Sequence, residues 1–318
     1  MKSTRSDQTT FFDMATSQRE TSNKVLETIT ELIDFSEAER KLEETYSTRG
    51  RPGHRVSVML RIMILQHLYG LSDPQAEVQL NDRLSFQRFV GVQPEERIPD
   101  ETTICRFRRR LIKCGLHEEL LELLNKQLEA RGLILKCTTL IDASLLQSSR
   151  KRPTPEAVKE GQVPDADASF TRKNFNTYYG YKAHISADGE HHLIRRAKIS
   201  TAREQDCHWF EPLAPEDSGI IYADKAYDTK ANKNWMEQRG IENAILKKGA
   251  HHIKLTPEDQ QRNKELGETR QQVERIFGHL KQWQGYRRVR YMGLAKNQLE
   301  LTLKATAYNL KRLAALAT

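Results

Sequence analysis

Two aspartates each follow a short apolar run rich in strand-forming residues. Asp142 closes TTLID and Asp224 closes IIYAD. Such runs predict buried strands, and the ends of strands are where sites collect in open α/β sheets. A half-buried carboxylate there needs a partner, because an uncompensated charge is costly to desolvate. A divalent cation is one. Magnesium takes one or two carboxylates together with waters and phosphate oxygens, and two ions about 4 Å apart stabilise both the attacking and the leaving oxygen of a phosphoryl transfer. That chemistry calls for a third carboxylate. Glu274, in RQQVERIFGHLKQW (270–283), is the best placed candidate. On a helix it shares a side with Arg270, four residues back, and Lys281, seven residues on. Each acid has an ordinary alternative. Strand-end aspartates serve as turn or cap residues, and a helical glutamate flanked by cations is commonly a solvated ion pair. Asp228 rivals Asp224 but is expected to cap the helix that follows.

The chain that must position these groups has 318 residues, of which 30% are charged and 37% hydrophobic, with a net charge of +8. That length suits one large or two smaller domains with a real core. The basic balance favours a polyanionic partner, nucleic acid first. The longest apolar run, VMLRIMILQHLYGL, is broken by Arg61, Gln66 and His67 and is too short and polar to span a bilayer. The opening MKSTRSDQTTFFDM has no apolar h-region. No membrane partner is expected. Cys105, Cys114, Cys137 and Cys207 form neither a C-x-x-C pair nor a zinc spacing and are expected to be buried, reduced thiols.

Residues 1–45 read as a polar arm and a helix carrying Val25, Leu26, Ile29, Leu32 and Ile33, capped by Ser22 or Asn23. TRGRPGHR (48–55) is a basic loop, and the chain to about 131 is helical. Its elements are a buried helix ending near Gly70, a helix opened by Ser72 or Asp73 with Pro74 behind, the short LSFQRFVG, and a basic helix after Asp100. In the last of these Ile104, Phe107 and Leu111 face inward while Arg106, Arg108, Arg109 and Arg110 cover the other sides. This region is expected to be helix-turn-helix-like, with Arg106 and Arg109 as DNA contacts. A bundle with a solvated arginine face is the alternative.

From 132 the pattern changes to a strand ending near Asp142 and an aperiodic, exposed loop over 147–177. Two strands follow around the turn ADGE, then a helix TAREQDCHWFEPL, the strand ending at Asp224, a helix closed by Gly240, a strand IENAIL, a polar connection over 247–268, the helix 270–283 and a last helix striped by Leu299, Leu303, Leu310 and Leu313. Lys182 and His184 share one strand face and are candidates to contact DNA or orient a carboxylate near Asp142, a histidine satisfied within the fold being the alternative. Lys225 could touch phosphate. Residues 268–318 hold ten Lys/Arg against three Asp/Glu, and GYRRVRY brings Arg287 and Arg288 to what would be a backbone-tracking surface. Trp209 and Trp235 are expected in the core. Trp283 could stack on a base or pack inside, and His191, His192, His251 and His252 are expected at the surface.

LIDASLLQSS, GYKAHISAD, IIYADKAYD and RQQVERIFGHLK occur in this order. Together they resemble the DDE transposases of bacterial insertion sequences, in the grouping that includes insertion-sequence family five. IPDETTICRFRRRL and the helix at 58–69 resemble that family's N-terminal helical domain, so the likeness runs from roughly residue 45 to 315. It implies an α/β fold, a ribonuclease-H-like mixed-sheet catalytic domain over 132–318 behind an all-helical DNA-binding domain over 46–131. It implies Asp142, Asp224 and Glu274 as the catalytic residues and ligands of two Mg²⁺ ions, with Mn²⁺ able to substitute. The family's third block is Tyr, Arg, Glu and Lys. Arg270, Glu274 and Lys281 match its spacing, whereas Gly267 stands in the tyrosine position. The resemblance sets Arg270 and Lys281 against DNA phosphates. The implied protein is a bacterial, cytoplasmic, nucleoid-associated homodimer on DNA. It would cut at terminal inverted repeats and join the 3′-hydroxyl ends to target DNA. A catalytically silent DNA-binding regulator and a nuclease without strand transfer are the alternatives. The intact carboxylates argue against the first, and only a joined product separates the second.

Overall fold

Local capping signals set most of the N-terminal helices. In the computed structural model, which describes residues 23–46, 53–93, 96–173, 175–249 and 254–317, α1 (Lys24–Leu32) opens at Asn23, whose side chain accepts the Leu26 N–H, and α2 (Ser36–Glu43) follows. α3 (Val56–Tyr69) is the apolar run at 56–69. It is buried on nearly every side, as a helix apolar all round must be, and stops at Gly70 in the left-handed region, φ 69°. α4 (Asp73–Asp82) opens with a reciprocal box between Ser72 and Gln75. α5 (Leu84–Val90) is short, and α6 (Glu101–Lys113) is capped by Asp100 through the Thr103 N–H at 2.7 Å. Each such cap is worth about 1 kcal/mol. The four arginines of α6 do not make one solvated face. Arg108 is buried and forks onto Asp73, with Nη1–Oδ2 at 2.8 Å. Breaking such a pair from one side costs about 3–5 kcal/mol. The Arg110 guanidinium lies 3.8 Å from the Tyr46 ring centroid, which leaves Arg106 and Arg109 exposed.

Two compact units divide the chain, Met1–Leu123 with Thr306–Thr318, and Leu124–Ala305. Two helices, α7 (Leu116–Ala130) and the C-terminal Leu294–Leu316, contribute to both. The second unit is built on a six-stranded sheet. Its strands are β1 (Thr138–Gln147), β2 (Ser169–Lys173), β3 (Asn176–Asp188), β4 (Ile194–Thr201), β5 (Ile220–Ala223) and β6 (Glu242–Ile245). The path runs β2-β3-β1-β5-β6, and β4 pairs with β3 off this path. β3 is antiparallel to β1, β2 and β4, and β5 and β6 run parallel to β1. The mixed sheet is ribonuclease-H-like. β3 is long enough for Asn176–Gly180 to pair with β2 while Tyr181–Ala187 pairs with β4. One face of the sheet carries Ile141, Ile221 and Ala223 against Phe210, Leu213, Tyr227 and Met236. These come from the helices Phe210–Leu213 and Lys230–Glu237 and the turn between them. The helix Gln272–Trp283 packs against β1 with its buried stripe of Val273, Ile276, Phe277 and Leu280.

Several expectations need correction. β1 does not end near Asp142 but runs on to Gln147, because β3 pairs with it along that whole length. The 147–177 stretch is not a bare exposed loop. It holds a helix, Pro155–Lys159, and β2, and its Asp165 is buried, accepting from Tyr181 (2.8 Å) and Ser148 (3.0 Å) hydroxyls. Residues 201–213 are mostly a turn and a 3₁₀ segment, helical in the α sense only over Phe210–Leu213. The polar connection at 247–268 contains a helix, Pro257–Arg270, opened by Thr256. Thr229, not Asp228, caps the helix Lys230–Glu237. Asp228 instead binds Lys233 at 2.5 Å and the Lys248 N–H at 2.7 Å. All four cysteines are free, but none is buried. Trp209 and Trp235 pack partly buried on the core as expected, whereas Trp283 is 71% exposed. His191 and His192 are half-buried, while His251 and His252 lie outside the described residues.

Candidate active site

Strand register brings the first two acids together. Ile141 pairs with Ala223 across β1 and β5, and both lie on the face covered by Phe210 and Leu213. Asp142, the next residue of β1, therefore points to the opposite face. Asp224 follows directly on Ala223, the last residue of β5, where the pairing of β1 with β5 ends. Asp142 is held within the longer β1–β3 ladder. Its side chain is 19% exposed and accepts the Ala143 N–H at 2.8 Å. Burial pushes its pKa up to about 6, and the carboxylates of Asp224 and Glu274 push the same way, against the Ala143 bond and Arg270. Asp224 opens the 3₁₀ turn Lys225–Tyr227 and accepts the Lys225 N–H at 2.8 Å.

Glu274 approaches from a helix. The apolar stripe of Gln272–Trp283 packs on β1 and leaves Glu274, in the first turn, at its margin. The side chain is 56% exposed and takes an ion pair from Arg270 Nη2 at 2.5 Å. The other guanidinium nitrogen of Arg270 lies 3.5 Å from Asp142. The helix 270–283 expected from the sequence is two helices meeting at Gln271, and Arg270 ends the first of them. Gln271 keeps helical angles, φ −59° and ψ −17°, so the four-residue spacing still joins Arg270 to Glu274. Arg270 is thus the cation between two of the three acids.

As a cation site the two aspartates fit: a buried carboxylate whose charge is penalised gains from a positive ion beside it. Glu274 does not join them in this arrangement. Among the described residues, no group of three acidic, histidine or cysteine side chains is close enough to hold a metal ion.

Of the expected cations, Lys281 lies near Asp142. Lys281 is half-buried, and its pKa is lowered by burial first and then by the nearby charges of Lys173 and Arg287, with Asp142 opposing. Lys225 is exposed beside Asp224. Arg287 and Arg288 project from a segment pinned to the end of β1, where Gln147 N–H donates to the Arg287 carbonyl (3.0 Å) and Val289 N–H to the Gln147 carbonyl (2.9 Å). Two charged residues missed in the sequence hold that segment. Lys304 donates to the Gln284 carbonyl at 2.8 Å, and Glu300 accepts the Arg290 N–H at 3.0 Å. Both are buried, and burial lowers Lys304 to about 8. Their only trace in the sequence is a Glu–Lys pair four apart in the long C-terminal helix.

Lys182 and His184 do not belong to this group. β3 pairs Ile185 with Asp142, Lys182 with Leu145 and His184 with Ala143, so both side chains leave the sheet on the face opposite Asp142. Lys182 binds Asp206 at 2.8 Å and the Glu204 carbonyl at 2.6 Å. His184 is fully buried, bonded to Ser200 at 2.7 Å and stacked on Trp209 at 5.2 Å between ring centroids. It has no surface to offer DNA and is a histidine satisfied within the fold. Arg106 and Arg109 lie exposed in the other unit.

Two family models match parts of this chain. Residues 134–310 match the family model described as transposase DDE domain, and residues 14–110 the one described as transposase domain (DUF772). The transposase for insertion sequence element IS1106 of Neisseria meningitidis serogroup B is 32% identical over 223 residues, covering 66% of this chain and 77% of its own length. The cryo-EM structure of a piggyBac transposase synaptic complex with hairpin DNA aligns with 93% of this chain and 74% of its own, at a TM-score of 0.44 and 8% identity.

Proposed function

Since the chain belongs to the DDE transposase family of bacterial insertion sequences, we propose that it cuts DNA at terminal inverted repeats and joins the freed 3′-hydroxyl ends to target DNA. The observation that carries this reading is that the strand register ends one residue before both Asp142 and Asp224, and that Arg270 links Asp142 (3.5 Å) to Glu274 (2.5 Å). Asp142, Asp224 and, once released from Arg270, Glu274 would hold two divalent cations, Mg²⁺ with Mn²⁺ able to substitute. Bound there, the ions would activate water and offset charge on the transferring phosphoryl oxygens.

The protein's own residues would do the positioning. Arg270 and Lys281 would take phosphates beside the acids, the first as a two-pronged donor and the second as a point charge. Lys225, Arg287 and Arg288 would extend that track, and Arg106 and Arg109 would serve binding by the helical unit. In cleavage, water oxygen bonds to phosphorus as the bond to the 3′ oxygen breaks. In joining, that 3′ oxygen attacks a target phosphodiester and displaces another 3′ oxygen. No enzyme-linked intermediate is required, so no serine or tyrosine nucleophile is needed. Paired ends call for at least a homodimer on DNA.

The test uses a duplex carrying the terminal repeat that flanks this coding sequence, a second duplex as target, and Mg²⁺. Wild type is expected to give both cut and joined products, and Glu274→Ala to bind the DNA and give neither. Cutting without joining would favour a nuclease. Binding without cutting by wild type, even with Mn²⁺, would favour a DNA-binding regulator.

A further inference from the structure

The segment that carries Arg287 and Arg288 has no helix or strand of its own beyond a single bridge to Gln147. Its conformation therefore depends on what holds its backbone. Tyr286 and Val289 are buried, and Arg287 and Arg288 stay exposed. The start is tied by Lys304 at the Gln284 carbonyl, and the middle by the two bonds to Gln147. The far end is tied by the 147–177 stretch. Asp165 accepts the Gly293 N–H at 3.3 Å, and Asp167 accepts the next one, from Leu294, at 2.8 Å. Leu294 opens the C-terminal helix, whose first N–H groups have no partner within the helix. Gly293 itself sits at φ 90°, where a side chain would be strained.

Asp165 is a costly choice for a tie. It is 3% exposed. Its carboxylate accepts only from neutral donors, on three separate segments: the Ser148 hydroxyl just beyond β1 (3.0 Å), the Tyr181 hydroxyl on β3 (2.8 Å) and the Gly293 N–H (3.3 Å). Its own carbonyl takes the Tyr179 hydroxyl at 2.8 Å. Burying a carboxylate without a cation beside it is unfavourable, and apolar packing would join the same segments at less cost. What a carboxylate adds is geometry. It is acceptor-only, so it gathers three donors at one point, and their directions fix how the segments meet. An amide of the same shape would turn its NH₂ toward some of those donors. The strand that ends at this point, β1, is also the one that carries Asp142. The charges of Arg287 and Asp142 both reach Lys281.

We propose that Asp165 is a positioning residue for DNA. Through the Gly293 turn it holds Arg287 and Arg288 in one register against β1, so that the phosphates they take are fixed relative to Asp142. Asp167, at the helix start, takes a smaller share of the same task. This rests on the DNA-cutting reading above and adds to it a residue that acts on DNA without touching it.

The test compares full-length wild type, Asp165→Asn, Asp167→Ala and the double variant Arg287→Ala/Arg288→Ala on the repeat-bearing duplex. The double variant is expected to lower the salt dependence of DNA binding by about two phosphate contacts. Asp165→Asn is expected to lower it as much, and Asp167→Ala by less. Adding Asp165→Asn to the double variant is expected to weaken binding no further, because both changes remove the same contacts. In Asp165→Asn the cutting rate at saturating DNA is expected to stay within about threefold of wild type, while the DNA concentration for half-maximal rate rises about tenfold. Replacing single phosphates by neutral methylphosphonates is expected to weaken wild type at about two positions and Asp165→Asn at neither. Mn²⁺ binding by DNA-free Asp165→Asn is expected to match wild type, which a general loosening of the sheet would not allow. Wild-type DNA affinity in Asp165→Asn would overturn the proposal. So would a loss that adds in full to that of the arginine pair, or one matched by a loss of Mn²⁺ binding, which would make Asp165 a support of the sheet alone. DNA cutting by wild type would stand in each case. Asp167 is exposed, so Asp167→Ala carries the same comparison should Asp165→Asn fail to fold. A wild type that neither binds nor cuts the duplex would remove the premise as well.

Discussion

The aspartates and the glutamate reach the same neighbourhood by different means. Asp142 is placed by backbone within the β1–β3 ladder, and Asp224 follows directly on Ala223, which pairs with Ile141 at the end of β5. Glu274 is placed by a helix margin, is 56% exposed, and is held by Arg270 rather than by the sheet. The difference suggests a division of work, in which the sheet supplies a preformed pair and the helix supplies a third acid that joins when Arg270 finds another partner. DNA phosphate is the natural competitor for that guanidinium.

The largest effect is expected at the fixed pair. Asp224→Asn should lower cleavage by about 10³-fold or more while leaving DNA affinity in a band-shift assay unchanged. Weakened DNA binding with intact cleavage would show that the pair does not do the chemistry.

Next in size is a residue close in sequence to the site yet on the other face. His184→Ala should cost about 2–4 kcal/mol of stability by denaturant unfolding, with the DNA affinity of the folded fraction unchanged. Burial holds the His184 pKa down to about 3. The unfolded chain takes up that proton near pH 6.5 and the folded chain does not. This histidine's contribution is therefore full above about pH 6.5 and is lost as the pH falls toward 3. The wild-type pH–stability profile should flatten over that window in His184→Ala.

A smaller effect, of about tenfold per pH unit, is expected from Asp142 itself. Its folded pKa is raised to about 6, so below that value it carries a proton that a cation must displace. Mn²⁺ affinity and cleavage should both rise with pH up to about 6 and then level, and a profile flat through that range would contradict the burial described. The smallest effect is expected at Arg270. Arg270→Met should reduce the salt dependence of DNA binding by about one phosphate contact, and it should tighten Mn²⁺ binding by the DNA-free protein because a competing cation is gone.

What could be read in the sequence followed the range of the interactions involved. Helix boundaries at Ser72, Asp100 and Gly70 depend on partners within a few residues, and the structure has them as expected. β2 is a short polar strand whose state depends on pairing with β3, so the 147–177 stretch showed no pattern. The helix Pro257–Arg270 buries no residue. It has no apolar stripe to detect, and only the Thr256-Pro257 opening marked it. The three acids stood out by residue type and context. Alternation showed that Lys182 and His184 share a face, but only the register of β3 against β1 decides that it is the face away from Asp142. Nothing local marks Asp165 as buried, since that follows from Ser148, Tyr179 and Tyr181 closing around it.

The most direct test of a preformed pair and a recruited third acid is Mn²⁺ titration of DNA-free protein, following water-proton relaxation, in wild type, Asp224→Asn and Glu274→Gln. Binding is expected to be lost in Asp224→Asn and to stay within about threefold of wild type in Glu274→Gln, although neither variant cuts DNA. Equal loss of Mn²⁺ binding in both variants would contradict this, because all three carboxylates would then form one site before DNA arrives.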